Sequence, residues 1–288
     1  MTTLLAYPNV SEGRDPEVIA RIGAAFGPGL LDVHSDPDHH RSAYTLAGAP
    51  GELAGAVLSG AAAAVDLIAI DAHAGVHPRV GAIDLASIVY LADADRGAAC
   101  AEALVLADRL ADELALPVFL YGSLAGDRTR AQLRRGGPPE LARRITAGEL
   151  APDFGPSALH PRAGAVLVAA RPPLVAFNVE LAAPATLQDA KAIAAHIREG
   201  GDEGLPGLRA IGLWLDQFGL AQVSTNIEDH RAVSPAAVVA AVARHASVAG
   251  AELVGLAPAA ALDDFPAAVA LRGRDTIEDA LHRRARSA

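Results

Sequence analysis

The chain has 288 residues, of which 51% are hydrophobic and 20% charged, so it is long enough and apolar enough to fold around one or two cores. Its 24 Lys and Arg against 34 Asp and Glu give a formal charge of −10, which argues against a general nucleic-acid-binding protein. The single cysteine, Cys100, excludes an internal disulfide, and no secretory signal or membrane span is recognised, so we expect a cytoplasmic protein that binds no membrane.

Short apolar runs alternate with longer segments of helical period along the whole chain, which is typical of a protein that mixes sheets and helices. The patterns predict strands at 3–7, 29–34, 42–48, 83–91, 117–120, 164–170, 174–181, 209–215 and 220–226. They predict helices at 15–26, 51–67, 94–114, 138–147, 185–198 and 235–248. The order is not a strict strand-helix-strand repeat, so we expect an α+β protein with mixed or antiparallel sheets and helices packed on one face.

Two pairs of predicted strands are separated by short loops and are expected to form antiparallel hairpins: 29–34 with 42–48, and 164–170 with 174–181. Segment 122–162 is rich in Gly, Pro and Arg, which predicts loops around a short helix. The run Arg171-Pro172-Pro173 restricts the backbone and suggests a domain boundary, giving units of 1–172 and 173–288. The Arg-rich tail 272–288 is interpreted as a solvated terminal helix.

Histidines are concentrated in segments 32–41 and 71–82. Imidazole titrates near neutral pH, so such clusters suit either proton transfer or metal binding. His73 and His77 are four residues apart, as metal ligands on a helix would be, but Gly75 and Pro78 make a helix there improbable. For the first cluster, a polar hairpin turn is the competing interpretation.

The run His77 to Asp84 places an imidazole and a guanidinium on a Pro/Gly loop directly before an apolar strand. Catalytic groups are often found on such loops, where a rigid strand fixes their position. His77 is therefore a candidate for proton transfer, and Arg79 for bidentate binding of a carboxylate, although a surface His beside an Arg is often inert.

The run Tyr7 to Arg14 (YPNVSEGR) resembles the amino-terminal PNxSEGR signature of the glutamate formimidoyltransferases. Further blocks resemble the same family in order: 31–33 with Asp36, 41–45, 77–84, 117–122, 152–157, 170–171 with 174–179, 221–226 and 251–256. Enzymes of this family move the formimino group of N-formimino-L-glutamate to tetrahydrofolate in histidine breakdown.

The resemblance implies a formiminotransferase domain of two α/β subdomains with a folate-binding crevice between them. The family's catalytic histidine lies in an HPRxGA motif, which is His77 here. The resemblance also implies tetrahydrofolate as co-substrate, no metal, and a homodimer. Because no cyclodeaminase domain is recognised, we expect the product to be 5-formiminotetrahydrofolate, with ring closure left to a separate cyclodeaminase.

Binding residues are assigned from the matched blocks and from segment 164–171, which the resemblance identifies with the family's folate-contacting stretch. Both substrates carry carboxylates while the protein is net negative, so arginines inside those blocks are the expected counter-charge. The candidates are Asn9, Arg14, Asp36, Arg41, Arg79, Gly81, Gly164, Ala165, Arg171, Asn178 and Asn226. The asparagines would hydrogen-bond ligand amides or the pterin edge, or else cap loops. Asp36 would hold the amidinium, or else shape a hairpin turn.

Three alternatives remain open from the sequence. Ala169 stands where the family often has glycine, which suggests a different formimino donor or acceptor. A metal-dependent amidine hydrolase would instead use His34, Asp36, His39, His73 and His77. A folate-binding protein without catalytic activity is the third, and the presence of His77 weakens it.

Overall fold

The computed structural model describes residues 2–126 and 128–287, the side chains of Ala72 and Ser287 excepted. The chain divides after Pro172 into two compact units, residues 1–172 and 173–288. Each unit has a sheet and a hydrophobic core of its own. Each sheet contains antiparallel and parallel neighbours, so the predicted α+β class with mixed sheets is confirmed.

The first unit contains a six-stranded sheet. Its strands are β1 (Leu4–Val10), β2 (Leu30–Asp36), β3 (Arg41–Gly48), β4 (Ile83–Tyr90), β5 (Val118–Leu120) and β6 (Val166–Arg171), in the order β2-β3-β1-β4-β6-β5. Strands β2, β3, β1 and β4 pair antiparallel, whereas β6 runs parallel to both β4 and β5. The predicted β2–β3 hairpin is confirmed.

Among the residues described for this unit, five α-helices accompany the sheet: α1 (Pro16–Ala25), α2 (Leu53–Leu67), α3 (Arg96–Leu114), α4 (Arg130–Arg134) and α5 (Gly137–Thr146). Helix α1 begins where Asp15 accepts hydrogen bonds from the amides of Glu17 and Val18, with Pro16 in the first turn. The apolar sides of α1, α2 and α3 form the main core against one face of the sheet.

A smaller core covers part of the opposite face. Along β6, Val166 and Val168 belong to the main core, while Leu167 and Ala169 belong to the smaller one. This alternation follows from the two-residue period of a strand. The smaller core includes residues of α4 and α5 and of strands β4, β5 and β6. The expectation of helices on one face is therefore corrected for this unit, because segment 122–162 folds back over the parallel strands.

In its described residues, the second unit contains five strands and three α-helices. The strands are β7 (Val175–Leu181), β8 (Leu208–Leu215), β9 (Leu220–Ile227), β10 (Val248–Leu253) and β11 (Leu271–Arg272), in the order β11-β10-β7-β9-β8. The helices are α6 (Leu187–Ile197), α7 (Pro235–Ala243) and α8 (Ile277–Ser287). All neighbouring strands are antiparallel except β10 and β11.

Two predictions are wrong. Strands β6 and β7 do not form a hairpin, because they lie in different sheets on either side of Pro172-Pro173. The helix predicted at 235–248 ends at Ala243, and Val248 begins β10, since a short apolar run fits a strand as well as a helix. Helix α4 was not predicted, although Thr129 and Gln132 form the capping box that marks its start. In the described part of the chain, no helix is long and apolar enough to cross a membrane.

Candidate active site

Four segments of the first unit meet at one end of its sheet: the end of β1, the β2–β3 turn, the loop 73–82 before β4, and helix α4. The register brings the strand ends together, because Asn9 pairs with Ala43 on one side and with Leu85 on the other. Helix α4 is linked to them by the hydrogen bond from Arg134 to Asp84. Loop 73–82 contains no helix, so His73 and His77 do not share a helix face. This confirms the objection raised by Gly75 and Pro78.

His77 is held in one tautomer by its own loop. Its Nδ1 atom lies 2.8 Å from the carbonyl oxygen of Pro78. A carbonyl oxygen only accepts, so Nδ1 carries the proton and Nε2 keeps a free lone pair. Burial, the charges of Arg41 and Arg134, and the ring of His39 lower the pKa of His77 well below its usual value. At neutral pH the ring is therefore neutral and able to act as a base.

Asp84 is shared by two arginines close to this loop. Its side chain is fully buried, and its Oδ2 atom accepts a hydrogen bond of 2.6 Å from Nη1 of Arg41 and another from Nη2 of Arg134. Its Oδ1 atom accepts from the Val80 amide at 2.8 Å. Burial alone would raise the pKa of Asp84, but the charges of Arg134 and Arg41 outweigh it and lower the pKa. Arg41 also donates from Nε to Oδ1 of Asn9 at 3.0 Å.

Neither Asp84 nor Arg134 is among the site residues predicted from the sequence. Asp84 stood inside a matched block, and Arg134 lies in the Gly/Pro/Arg segment that was interpreted as loops around a short helix. The two residues are 50 positions apart in sequence. The capping box at Thr129 could have predicted the helix that carries Arg134, but not the contact of that arginine with Asp84.

Arg14 and Arg79 bind main-chain carbonyl groups of the surrounding loops. Arg14 donates from Nε to Pro37 at 2.9 Å and from Nη2 to Ala74 at 3.1 Å. Arg79 donates to Gly75 at 3.1 Å and to His73 at 2.5 Å. These bonds fix the loops but do not neutralise the two positive charges, because a carbonyl oxygen carries no formal charge.

Asp36 organises the β2–β3 turn. Its Oδ1 atom accepts a hydrogen bond of 2.8 Å from the amide of His39. This is the hairpin-turn role that competed with amidinium binding in the sequence interpretation. The same turn places the His39 ring 5.7 Å, centre to centre, from the ring of His77.

Two further histidines of these loops stack on each other. The rings of His40 and His73 are 4.2 Å apart, centre to centre. Nε2 of His73 lies 2.8 Å from the carbonyl oxygen of His40, and its Nδ1 accepts from the Gly75 amide at 3.2 Å. Burial is the main cause that lowers the pKa of His73 to about 4. Among the residues that the structure describes, no three His, Cys, Asp or Glu are grouped so as to hold a metal ion.

Close backbone contacts join the end of loop 73–82 to the residues before β6. They involve Gly81, Gly164 and Ala165. Gly81 and Gly164 form a bridge, and a Cβ atom on Gly81 would come within 2.0 Å of the Ala165 carbonyl oxygen. Gly164 has a φ of +72°, which favours glycine. The side chain of Ala165 is fully buried in the smaller core. These three residues allow loop 73–82 to pack closely against the start of β6.

Arg171 lies at the far end of the same sheet. It pairs with Val89, five residues beyond Asp84 on β4, which corresponds to about 16 Å along the strand. Its guanidinium lies 5.5 Å from the centre of the Tyr7 ring, and its Nη1 donates to Pro172 at 3.0 Å. The structure therefore does not bring Arg171 next to His77.

Asn178 and Asn226 belong to the second unit. They lie on the face of its sheet that is turned away from its core, since the core residues Phe177 and Val179 alternate with Asn178 along β7. Asn178 is buried and donates from Nδ2 to Glu252 at 3.0 Å. Glu252 and Glu180 both pair with Arg272 on the same face.

Comparison with known proteins gives consistent results over both units. The family model described as the N-terminal subdomain of the formiminotransferase domain matches residues 3–171, and the model described as the formiminotransferase domain matches residues 176–269. The chain is 40% identical over 279 residues to the formimidoyltransferase-cyclodeaminase of Sus scrofa, covering 90% of this chain and 51% of that protein. It thus spans about half the length of such relatives.

Shorter relatives match over most of their length. The glutamate formimidoyltransferase of Streptococcus pyogenes is 35% identical over 269 residues, which is 89% of this chain and 89% of that protein. The glutamate formimidoyltransferase of Thermoplasma acidophilum is 33% identical over 278 residues, which is 92% and 91% of the two chains. The resemblance predicted from the sequence motifs is confirmed: the chain belongs to the formiminotransferase domain family.

Proposed function

We propose that the chain transfers the formimino group of N-formimino-L-glutamate to N5 of tetrahydrofolate, giving 5-formiminotetrahydrofolate and glutamate, as a step of histidine degradation. The observation that carries this proposal is the neutral His77, whose Nδ1 is held by the Pro78 carbonyl and whose Nε2 keeps its lone pair, on the same loop whose Val80 amide binds Asp84. The names of the relatives from Streptococcus pyogenes and Thermoplasma acidophilum support the identity of the donor.

The reaction exchanges one carbon–nitrogen bond for another. N5 of tetrahydrofolate attacks the formimino carbon and forms a tetrahedral intermediate, and the bond from that carbon to the glutamate nitrogen then breaks. The N5 nitrogen must lose a proton and the leaving nitrogen must gain one. His77 performs both transfers through Nε2, taking the proton from N5 and returning it to the departing amine, which regenerates the neutral ring.

The remaining candidates are proposed as binding residues in two groups. Asn9, Arg14, Arg41 and Arg79 share the sheet end and loops of His77, and their charges and amide suit the carboxylates of the donor. Arg171, Asn178 and Asn226 are proposed to bind the folate, on the strength of the family motif. Asp36, Gly81, Gly164 and Ala165 are proposed to shape the site rather than to contact substrates, given their turn and backbone contacts.

The alternative of a different acceptor rested on Ala169. Its side chain is 1% exposed and belongs to the smaller core with Phe119 and Leu167, so its methyl group packs inside the first unit. That packing gives no reason to replace folate. We further propose that the enzyme works as a homodimer in the cytoplasm and needs no metal.

The test is an absorbance assay of the purified protein with tetrahydrofolate and N-formimino-L-glutamate, in which acid converts the product to methenyltetrahydrofolate. We expect a signal only when both substrates are present, and an unchanged rate after treatment with a chelator. A folded protein that gives no signal with this pair would overturn the proposed substrates, and loss of activity on chelation would overturn the metal-free mechanism.

A further inference from the structure

The cluster of Arg41, Asp84 and Arg134 has one positive charge more than it has negative charge. Both guanidinium groups donate to the same carboxylate oxygen, and the second oxygen is occupied by the Val80 amide. The arginine side chains are each 11% exposed and that of Asp84 is 0% exposed, so water screens the excess charge only weakly. A buried excess charge of this kind is stabilised when an anion binds beside it.

Arg134 also has unused hydrogen-bond donors. Its Nη2 donates to Asp84, while its Nε is buried and has no hydrogen-bond partner among the described residues. A buried donor without a partner is costly, and a ligand oxygen would remove that cost. Arg41 donates from Nε to Asn9 and from Nη1 to Asp84, and these bonds fix its guanidinium while Nη2 has no partner within the described parts of the chain.

We propose that Arg134, together with Arg41, binds the α-carboxylate of the amino-acid donor and so selects a formimino-amino acid as substrate. This inference rests on the proposed function, because it assumes that transfer occurs at His77. A carboxylate is the anion that suits two guanidinium groups with free nitrogens, since each of its oxygens accepts from one of them.

The position of the pair identifies which carboxylate it meets. Both arginines donate to Asp84, and Asp84 also accepts from the amide of Val80, three residues after His77 on the same loop, so the pair lies close to the reacting groups. In the donor, the α-carboxylate is attached to the carbon that bears the reacting nitrogen. In tetrahydrofolate, the glutamyl carboxylates are separated from N5 by the whole aminobenzoyl group. A site beside His77 therefore reaches the donor's α-carboxylate and not those of the folate.

The test compares Arg134→Gln and Arg134→Lys with the wild type. For Arg134→Gln we expect KM for N-formimino-L-glutamate to rise about 10- to 100-fold, while KM for tetrahydrofolate changes less than about threefold. Arg134→Lys keeps the positive charge but not the planar pair of guanidinium donors, so its KM for N-formimino-L-glutamate should rise less than that of Arg134→Gln. The control is Arg143→Gln on α5, an exposed arginine that pairs with Glu140 and Glu149 and whose loss should leave both KM values unchanged.

A binding measurement separates this inference from the proposed function. We expect L-glutamate alone, titrated calorimetrically, to bind the wild type and Arg143→Gln and to bind folded Arg134→Gln at least about tenfold more weakly. An unchanged KM and unchanged glutamate binding in Arg134→Gln would overturn the inference. A rise in KM for tetrahydrofolate instead would assign the arginine to the folate carboxylates and overturn it as well. An inactive wild type that still binds glutamate through Arg134 would overturn the proposed reaction only.

Discussion

The Nδ1 atom of His77 lies 2.8 Å from the carbonyl oxygen of Pro78, the next residue in the chain. This contact assigns the proton of the neutral imidazole to Nδ1 and leaves Nε2 as the basic atom. A histidine oriented by its own backbone needs no carboxylate partner to fix its tautomer. The base strength of His77 is therefore set by burial and by the neighbouring arginines, which disfavour the charged ring.

Replacing His77 with alanine is expected to lower kcat by about 10²- to 10⁴-fold, because both proton transfers lose their carrier. KM for either substrate should change much less, since the arginines that bind carboxylates remain. The measurement is steady-state kinetics on protein whose thermal unfolding matches the wild type. The matched control is His196→Ala on α6, a partly exposed histidine beside Asp202. Near-normal kcat in folded His77→Ala would refute the assignment.

The pH profile of kcat/KM should reveal the lowered pKa of His77. The base is active when neutral, so activity should stay level as pH falls from 7.5 through 6.5 and decline only at lower pH. Arg134→Gln removes one positive neighbour, which raises the pKa of His77 and moves this decline to higher pH. An acidic limb centred at or above pH 6.5 in the wild type would contradict the electrostatics of the site.

The loop that carries the proposed catalytic histidine could be located from the sequence because its motif is local. His77, Pro78 and Arg79 are consecutive, and the apolar run after them fixes β4. Arg134 could not be placed in the same way. Its contact with Asp84 depends on how segment 122–162 folds back over the sheet, and no periodicity in the sequence encodes that path.

The fold shows the same division between local and long-range information. The β2–β3 hairpin follows from the turn chemistry of Asp36 and Pro37, so it was predicted correctly. The segment between β6 and β7 resembles a turn, but Pro172 and Pro173 lack amide hydrogens and lie where the chain leaves one sheet for another. A short gap between strands indicates a hairpin only when both strands belong to the same core.

Gly81→Ala is expected to destabilise the protein by about 1–3 kcal/mol or more, because the added Cβ would lie 2.0 Å from the Ala165 carbonyl oxygen and 2.5 Å from that of Ala163. Backbone atoms cannot rotate away as a side chain would. Gly97→Ala is the control: it lies in the first turn of α3, a Cβ there meets nothing within 4 Å, and the helix should gain slightly. Chemical denaturation measures both, and equal stabilities would contradict the close packing of Gly81 on β6.

His73 should make the stability of the protein depend on pH between about 6.5 and 4, the usual pKa of histidine and its lowered value in the folded state. Above this window the ring is neutral in both states; as pH falls through it, only the unfolded chain binds the proton, so stability is lost. Allowing for solvent screening of a half-buried ring, the loss attributable to His73 is about 1–2 kcal/mol. Free energies of unfolding at pH 7 and pH 5 should therefore differ less in His73→Gln than in the wild type or in His282→Gln, whose histidine lies exposed on α8. If the free energies of unfolding at pH 7 and pH 5 differed equally in all three proteins, the His40–His73 stack would not lower the pKa of His73 in the folded state.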